Sequence, residues 1–234
     1  MPALAEIAEW IDGLTGAARF ADQPPTLFVP SAREVRRLGL ALEPAAGMAE
    51  RAAELGLDAL FLHRPWAAEG ESLPPELGIL ASHLPFDERL AVGFNPEMAE
   101  VLGIVAPEPL GIRDGRPLGM VGDFPARDFT HLLRRVATAF GDPEALRVGA
   151  SGEPARVAVV GAMTDALVRE AAARGAEAYV TGQLRVPARE AVADTGMAVV
   201  AIGHRSGELW GLHLLARLVR ERWPALQAII LTDE

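Results

Sequence analysis

The sequence predicts an α/β protein built from two α/β units with largely parallel or mixed sheets. Three observations predict it. Short apolar runs alternate with stretches of helical periodicity between residues 38 and 102. The alternation returns more clearly from residue 157 to the end of the chain. Between the two series, Arg113-Asp114-Gly115-Arg116 places an Asp-Gly turn between apolar flanks, the signature of a hairpin. Strands separated by helices of ~10–15 residues need crossover connections, and those favour parallel pairing.

The elements follow in order. Residues 3–16 carry Leu4, Ile7, Ala8, Ile11 and Leu14 at helical spacing, which predicts an amphipathic helix. Residues 22–30 hold three prolines and read as a loop or an edge segment. An apolar run at 38–42 precedes a helical stretch at 45–55 that stops at Gly56. Strands are expected at 59–62 and 78–82, each ending at a histidine, and a helix at 96–102 with Asn95 as its N-cap and Pro96 at its first position. Beyond the hairpin, helices are expected at 126–140, 165–174, 187–194 and 208–222. The strands that alternate with them are 157–160, 178–181, 198–202 and 227–231. Taking the hairpin as the seam, residues 1–115 with 200–234 form one unit and 116–199 the other.

Composition narrows the chemistry. The chain has 234 residues, a formal net charge of −10, no cysteine, and 22 basic residues that are all arginine. No thiolate nucleophile, disulfide or Cys-ligated metal can form, and no lysine is present for a Schiff base or a phosphate loop. Metal ligation is left to histidine and carboxylate. The acidic balance argues against broad nucleic-acid binding. No basic n-region with an apolar core opens the chain, and no segment approaches the ~20 apolar residues of a membrane span. A cytoplasmic location is therefore expected.

Ligands of α/β sheets gather at the carboxyl ends of strands. Three of the five histidines stand there: His63, His83 and His204. Asp87 follows His83 by four residues and Glu208 follows His204 by four, a spacing that puts both members of a pair on one face of a helix. A lone histidine at a strand end is more commonly a hydrogen-bonded structural group. Three of them with carboxylate partners point towards a metal or an acid–base site. His131 and His213 fall within helices and read as structural or solvated, and Asp233 and Glu234 as tail charges. Gly161-Ala162-Met163-Thr164 offers a weak anion cradle at a helix start. Ser206 lacks the turn that exposes a nucleophilic serine.

Four segments together resemble a known family. They are Asp58-Ala59-Leu60-Phe61-Leu62-His63-Arg64-Pro65, Ser82-His83-Leu84-Pro85-Phe86-Asp87 followed by Asn95, Tyr179-Val180-Thr181-Gly182, and Gly203-His204-Arg205-Ser206-Gly207-Glu208. Their order and approximate spacing are those of the Nif-three-like proteins (NGG-one-interacting factor three, or GTP cyclohydrolase type-two homologues). The resemblance runs from about residue 40 to the C-terminus and implies a two-unit α/β fold, ring-like hexamers and a centre of two metal ions. It further implies metal-dependent hydrolysis of a nucleotide-like or other small molecule. Carried onto this chain, His63, Asp87 and Glu208 hold one ion. A second histidine, His204 and the shared Glu208 hold the other. That second histidine is here Arg64, which stays protonated and has no lone pair to offer a cation. Gln183 stands where the family commonly has Asp.

Two outcomes are expected from this departure. In one, His63, Asp87 and Glu208 hold a single divalent transition metal (Zn, Mn, Fe, Co or Ni). Arg64 then offers its charge to substrate, and His204 is freed for general acid–base work. In the other, Arg64 pairs with Glu208 or Asp87, the centre is degenerate, and the chain is a non-catalytic ring-forming scaffold or regulatory protein.

Overall fold

A computed structural model describes residues 1–66, 73–74, 76–150 and 152–231; the tail charges Asp233 and Glu234 lie outside the described residues. The chain runs α1 (Leu4–Thr15), β1 (Leu27–Val29), β2 (Arg37–Ala41), α2 (Met48–Glu54), β3 (Ala59–Leu62), β4 (Gly78–Ala81), α3 (Leu84–Arg89) and α4 (Pro96–Leu102). It continues through β5 (Val105–Arg113), β6 (Arg116–Asp123), α5 (Phe129–Phe140), β7 (Ala145–Arg147), β8 (Arg156–Val160), α6 (Asp165–Ala173) and β9 (Ala178–Thr181). It ends with α7 (Arg189–Thr195), β10 (Ala198–Ala201), α8 (His204–Arg222) and β11 (Gln227–Ile230). The protein is thus α/β, with two sheets of five and six strands.

Two compact units form, Met1–Phe86 with Gly211–Glu234, and Asp87–Trp210. The chain changes unit inside two helices, α3 and α8, rather than at residues 115 and 200. The hairpin taken from the sequence as a seam lies wholly within the second unit, because β6 pairs onward with β8 and so anchors the hairpin in that sheet.

In the first unit the sheet order is β1-β4-β3-β2-β11. The four strands from β4 to β11 pair in parallel, and β1 closes the edge antiparallel to β4. Every residue of β3 and β4 is buried, as expected for parallel strands covered on both faces. Helix α1 buries Leu4, Ile7, Ala8 and Ile11. Leu4 reaches the sheet because Gly78 has no side chain: a Cβ there would stand 2.3 Å from Leu4 Cδ2. Met48 and Ala52 of α2 join Leu60 and Leu62 in a core cluster of this unit.

The second unit's sheet has the order β5-β6-β8-β9-β10-β7 and mixes parallel with antiparallel pairs. Its strands alternate between two cores. Val157, Val159, Val180 and Val200 face a cluster with Met98, Leu102, Leu132 and Val136. Ala158, Val160, Tyr179 and Val199 face another, with Leu167, Val168, Ala171 and Val192. Helices α4 and α5 thus cover one face, and α6 and α7 the other. Asp114 (φ 50°) and Gly115 (φ 74°) both have positive φ, which the tight hairpin turn requires. The three-residue edge strand β7 was not expected, and α5 starts at Phe129 rather than 126, where Asp128 caps it by accepting from Thr130 N–H at 2.8 Å.

Candidate metal centre

The register of β3 on β4 aligns Leu62 with Ala81. The chains therefore leave the sheet side by side, and the next residues form the site. His63 is fully buried, and its Nδ1 lies 2.9 Å from the Ser82 carbonyl oxygen. A carbonyl can only accept, so Nδ1 carries the proton and donates, and Nε2 holds the lone pair of the neutral ring. This is the arrangement that orients metal-binding imidazoles. Phe86 packs on the same ring at 4.8 Å between centroids.

His83 follows one residue later, its ring centroid 4.9 Å from that of His63 and edge-on to Trp66 at 5.4 Å. Helix α3 begins at the next residue and carries Asp87 in its first turn. One ligand atom each from His63, His83 and Asp87 lies within 4.8 Å of the other two. His63, His83 and Asp87 would together hold one ion. Two imidazoles and a carboxylate suit Zn, Mn, Fe, Co or Ni better than Ca, and leave positions open for water. The donor set therefore fits a transition metal.

The second unit carries a histidine–carboxylate pair of its own. Helix α8 begins at His204, four residues earlier than the sequence suggested, so His204 and Glu208 share one helical face. His204 Nε2 lies 3.0 Å from Glu208 Oε1; the histidine side chain is 59% exposed and the carboxylate 1%. Gly203 makes the turn into the helix with φ 90°. The Thr181-Gly182 turn packs beneath: a Cβ on Gly182 would stand 3.6 Å from His204 Nδ1.

The sequence named His63, Asp87, His204, Glu208 and Arg64. The structure groups the first two with His83, which the family motif had left aside although its spacing to Asp87 was visible. It pairs His204 with Glu208. Arg64 is half-buried, and its Nη2 and Nε donate to Glu43 Oε1 at 2.6 and 3.1 Å, a partner the sequence reading did not name.

The other sequence candidates are structural. Thr164 spends its hydroxyl capping α6 by accepting from Leu167 N–H at 3.2 Å. Asp165 adds a negative charge to the same first turn, so the Gly161 cradle does not suit an anion. His131 Nε2 accepts from Arg135 Nε at 2.9 Å, and His213 is exposed on α8. Tyr179 donates to the Ala162 carbonyl at 3.0 Å, and burial first, then Glu170, push its phenol well above the ordinary range.

Fold and donor grouping together define an α/β protein with a histidine–carboxylate group that could hold a metal ion, at the carboxyl ends of parallel strands. Residues 70–233 match the family model Duf34/NIF3 (NGG1p interacting factor 3), and the chain belongs to that family. Among its relatives, a GTP cyclohydrolase 1 type 2 homolog of Allochromatium vinosum is 27% identical, over 95% of this chain and 93% of that protein. One of Halobacterium salinarum is 30% identical, over 83% of each. The solved structure of a Bacillus cereus protein related to NIF3 has the same fold, with a TM-score of 0.74 at 15% identity, covering 100% of this chain and 97% of that one.

Proposed function

We propose that this protein is a metal-dependent hydrolase of a nucleotide-like or other small molecule, with one metal site kept and the second impaired by Arg64. The observation that carries the reading is the His63–Ser82 hydrogen bond, which fixes the tautomer a metal needs in a fully buried histidine. His63, His83 and Asp87 would hold the ion, with Glu208 as the further ligand implied by the family. A divalent ion bound there would lower the pKa of a water ligand towards neutrality.

The chain's own residues do the rest. Glu208 accepts from His204 Nε2–H and so orients a largely exposed imidazole that would take up or release a proton. Arg64, next to His63 in the chain and ion-paired with Glu43, brings a guanidinium of the kind that suits a substrate carboxylate or phosphate. Support for a nucleotide-like substrate comes from relatives named as GTP cyclohydrolase 1 type 2 homologs. The family resemblance also supports a ring-like homo-oligomer, a hexamer, in the cytoplasm. Among the described residues no helix is long and apolar enough to cross a membrane.

The test is hydrolysis of nucleoside triphosphates by Zn- or Mn-loaded protein. Turnover is expected, with a loss of about 10²-fold or more in kcat for His204→Ala while the ion stays bound. Arginine in place of a ligand histidine favours a second reading, a scaffold with a degenerate centre. Bound metal without turnover on any nucleotide would support that reading instead.

A further inference from the structure

The first unit contains an open cleft of about 400 Å³ that touches the metal group only at Ser82 and His83. Its volume lies in the range of small-molecule sites. Phe20, Pro24, Pro25 and Pro85 give it flat apolar walls, and Asp12, Thr26, Ser82 and His83 supply polar groups. Three features mark it as built to receive something.

The first is Gly13. It sits inside helix α1, where glycine costs about 1 kcal/mol relative to alanine. A Cβ added there meets no atom within 4 Å, so no neighbouring group in the chain demands the glycine. What its absent side chain preserves is room in the cleft it lines.

The second is Ser82, which is 4% exposed and lines the cleft, and whose Oγ is buried without a hydrogen-bond partner. Such a hydroxyl is costly unless something else satisfies it.

The third is charge. Asp12 is the carboxylate of the lining, its Oδ1 accepting from Thr26 Oγ1 at 2.5 Å, and among the described lining residues there is no arginine. A phosphate or carboxylate would meet repulsion here. A planar cation with paired N–H donors would meet an acceptor held in place by Thr26.

We propose that this cleft is a second ligand site, which takes the planar aromatic body and amidine-like cationic head of a small molecule. The apolar walls sandwich the ring, Asp12 receives the amidinium, and Ser82 Oγ gains the partner it lacks. His83 lines the cleft and also belongs to the metal group, so an occupant of the cleft lies beside the candidate ion.

Benzamidine is a suitable probe, with benzoate as a control of the same shape and opposite charge, each titrated calorimetrically into the full-length protein. Saturable benzamidine binding is expected, at least tenfold tighter than benzoate. Gly13→Leu fills the cleft and should weaken it at least tenfold, while the melting temperature is held or raised because leucine is the better helix former. Asp12→Asn keeps the size of the side chain and should weaken benzamidine binding at least tenfold as well. No saturable binding up to 10 mM, equal affinity for benzoate, or unchanged affinity in Gly13→Leu would each overturn the proposal. Metal content measured on the same samples separates this site from the metal centre. Benzamidine binding without metal removes the metal reading alone, and metal uptake without benzamidine binding removes this one alone.

Discussion

His63 owes its place in the metal group to a backbone carbonyl. With Nδ1 committed to Ser82 at 2.9 Å, Nε2 is the ring atom that would face a metal. Asp87 adds a carboxylate to the two imidazoles, and Asp87→Asn keeps its shape. That substitution should lower the affinity for Zn or Mn by at least about 10-fold, measured by competition with a chelator, with secondary structure unchanged. Arg64→His tests whether Arg64 impairs a second metal position: if it does, a second ion per chain is expected by inductively coupled plasma analysis, and a single ion would contradict that reading. Motif spacing in the sequence pointed to His63 and Asp87, which the structure groups with His83, and to His204 and Glu208, which it pairs with each other. Glu43 was not legible, since its pairing with Arg64 joins two loops 21 residues apart and no local pattern records it.

At the scale of elements, the sequence shows what is continuous and hides what is short. β3, β8 and β9 read correctly because buried parallel strands are unbroken apolar runs. Ala145–Arg147 did not, because a three-residue edge strand, mostly exposed, leaves no periodicity to detect. The unit boundaries were hidden for another reason: both fall inside helices, whose 3.6-residue period continues across the change of unit. Helix α4 shows how much one polar residue can hold. Asn95 is fully buried; its Nδ2 donates to the carbonyls of Leu90 and Ala91 at 2.9 and 3.2 Å, and its Oδ1 accepts from Met98 N–H at 3.2 Å. Asn95→Ala orphans all three groups and should cost about 2–4 kcal/mol of stability by urea unfolding. A loss below about 1 kcal/mol would show that water replaces them.

For the whole molecule, the composition that excluded thiol and amine chemistry left histidine and carboxylate, and the fold brings three of those side chains to one place. Light scattering on the purified protein should give six times the chain mass if the family's ring forms here, and a monomer would contradict that expectation. The direct measurement of the metal group is the metal content of protein purified without an affinity tag, for the native chain and for Asp87→Asn. One tightly bound transition metal per native chain, lost in the variant, is the predicted result. No bound metal after loading with Zn, Mn, Fe, Co or Ni, or an ion that persists unchanged in Asp87→Asn, would contradict it.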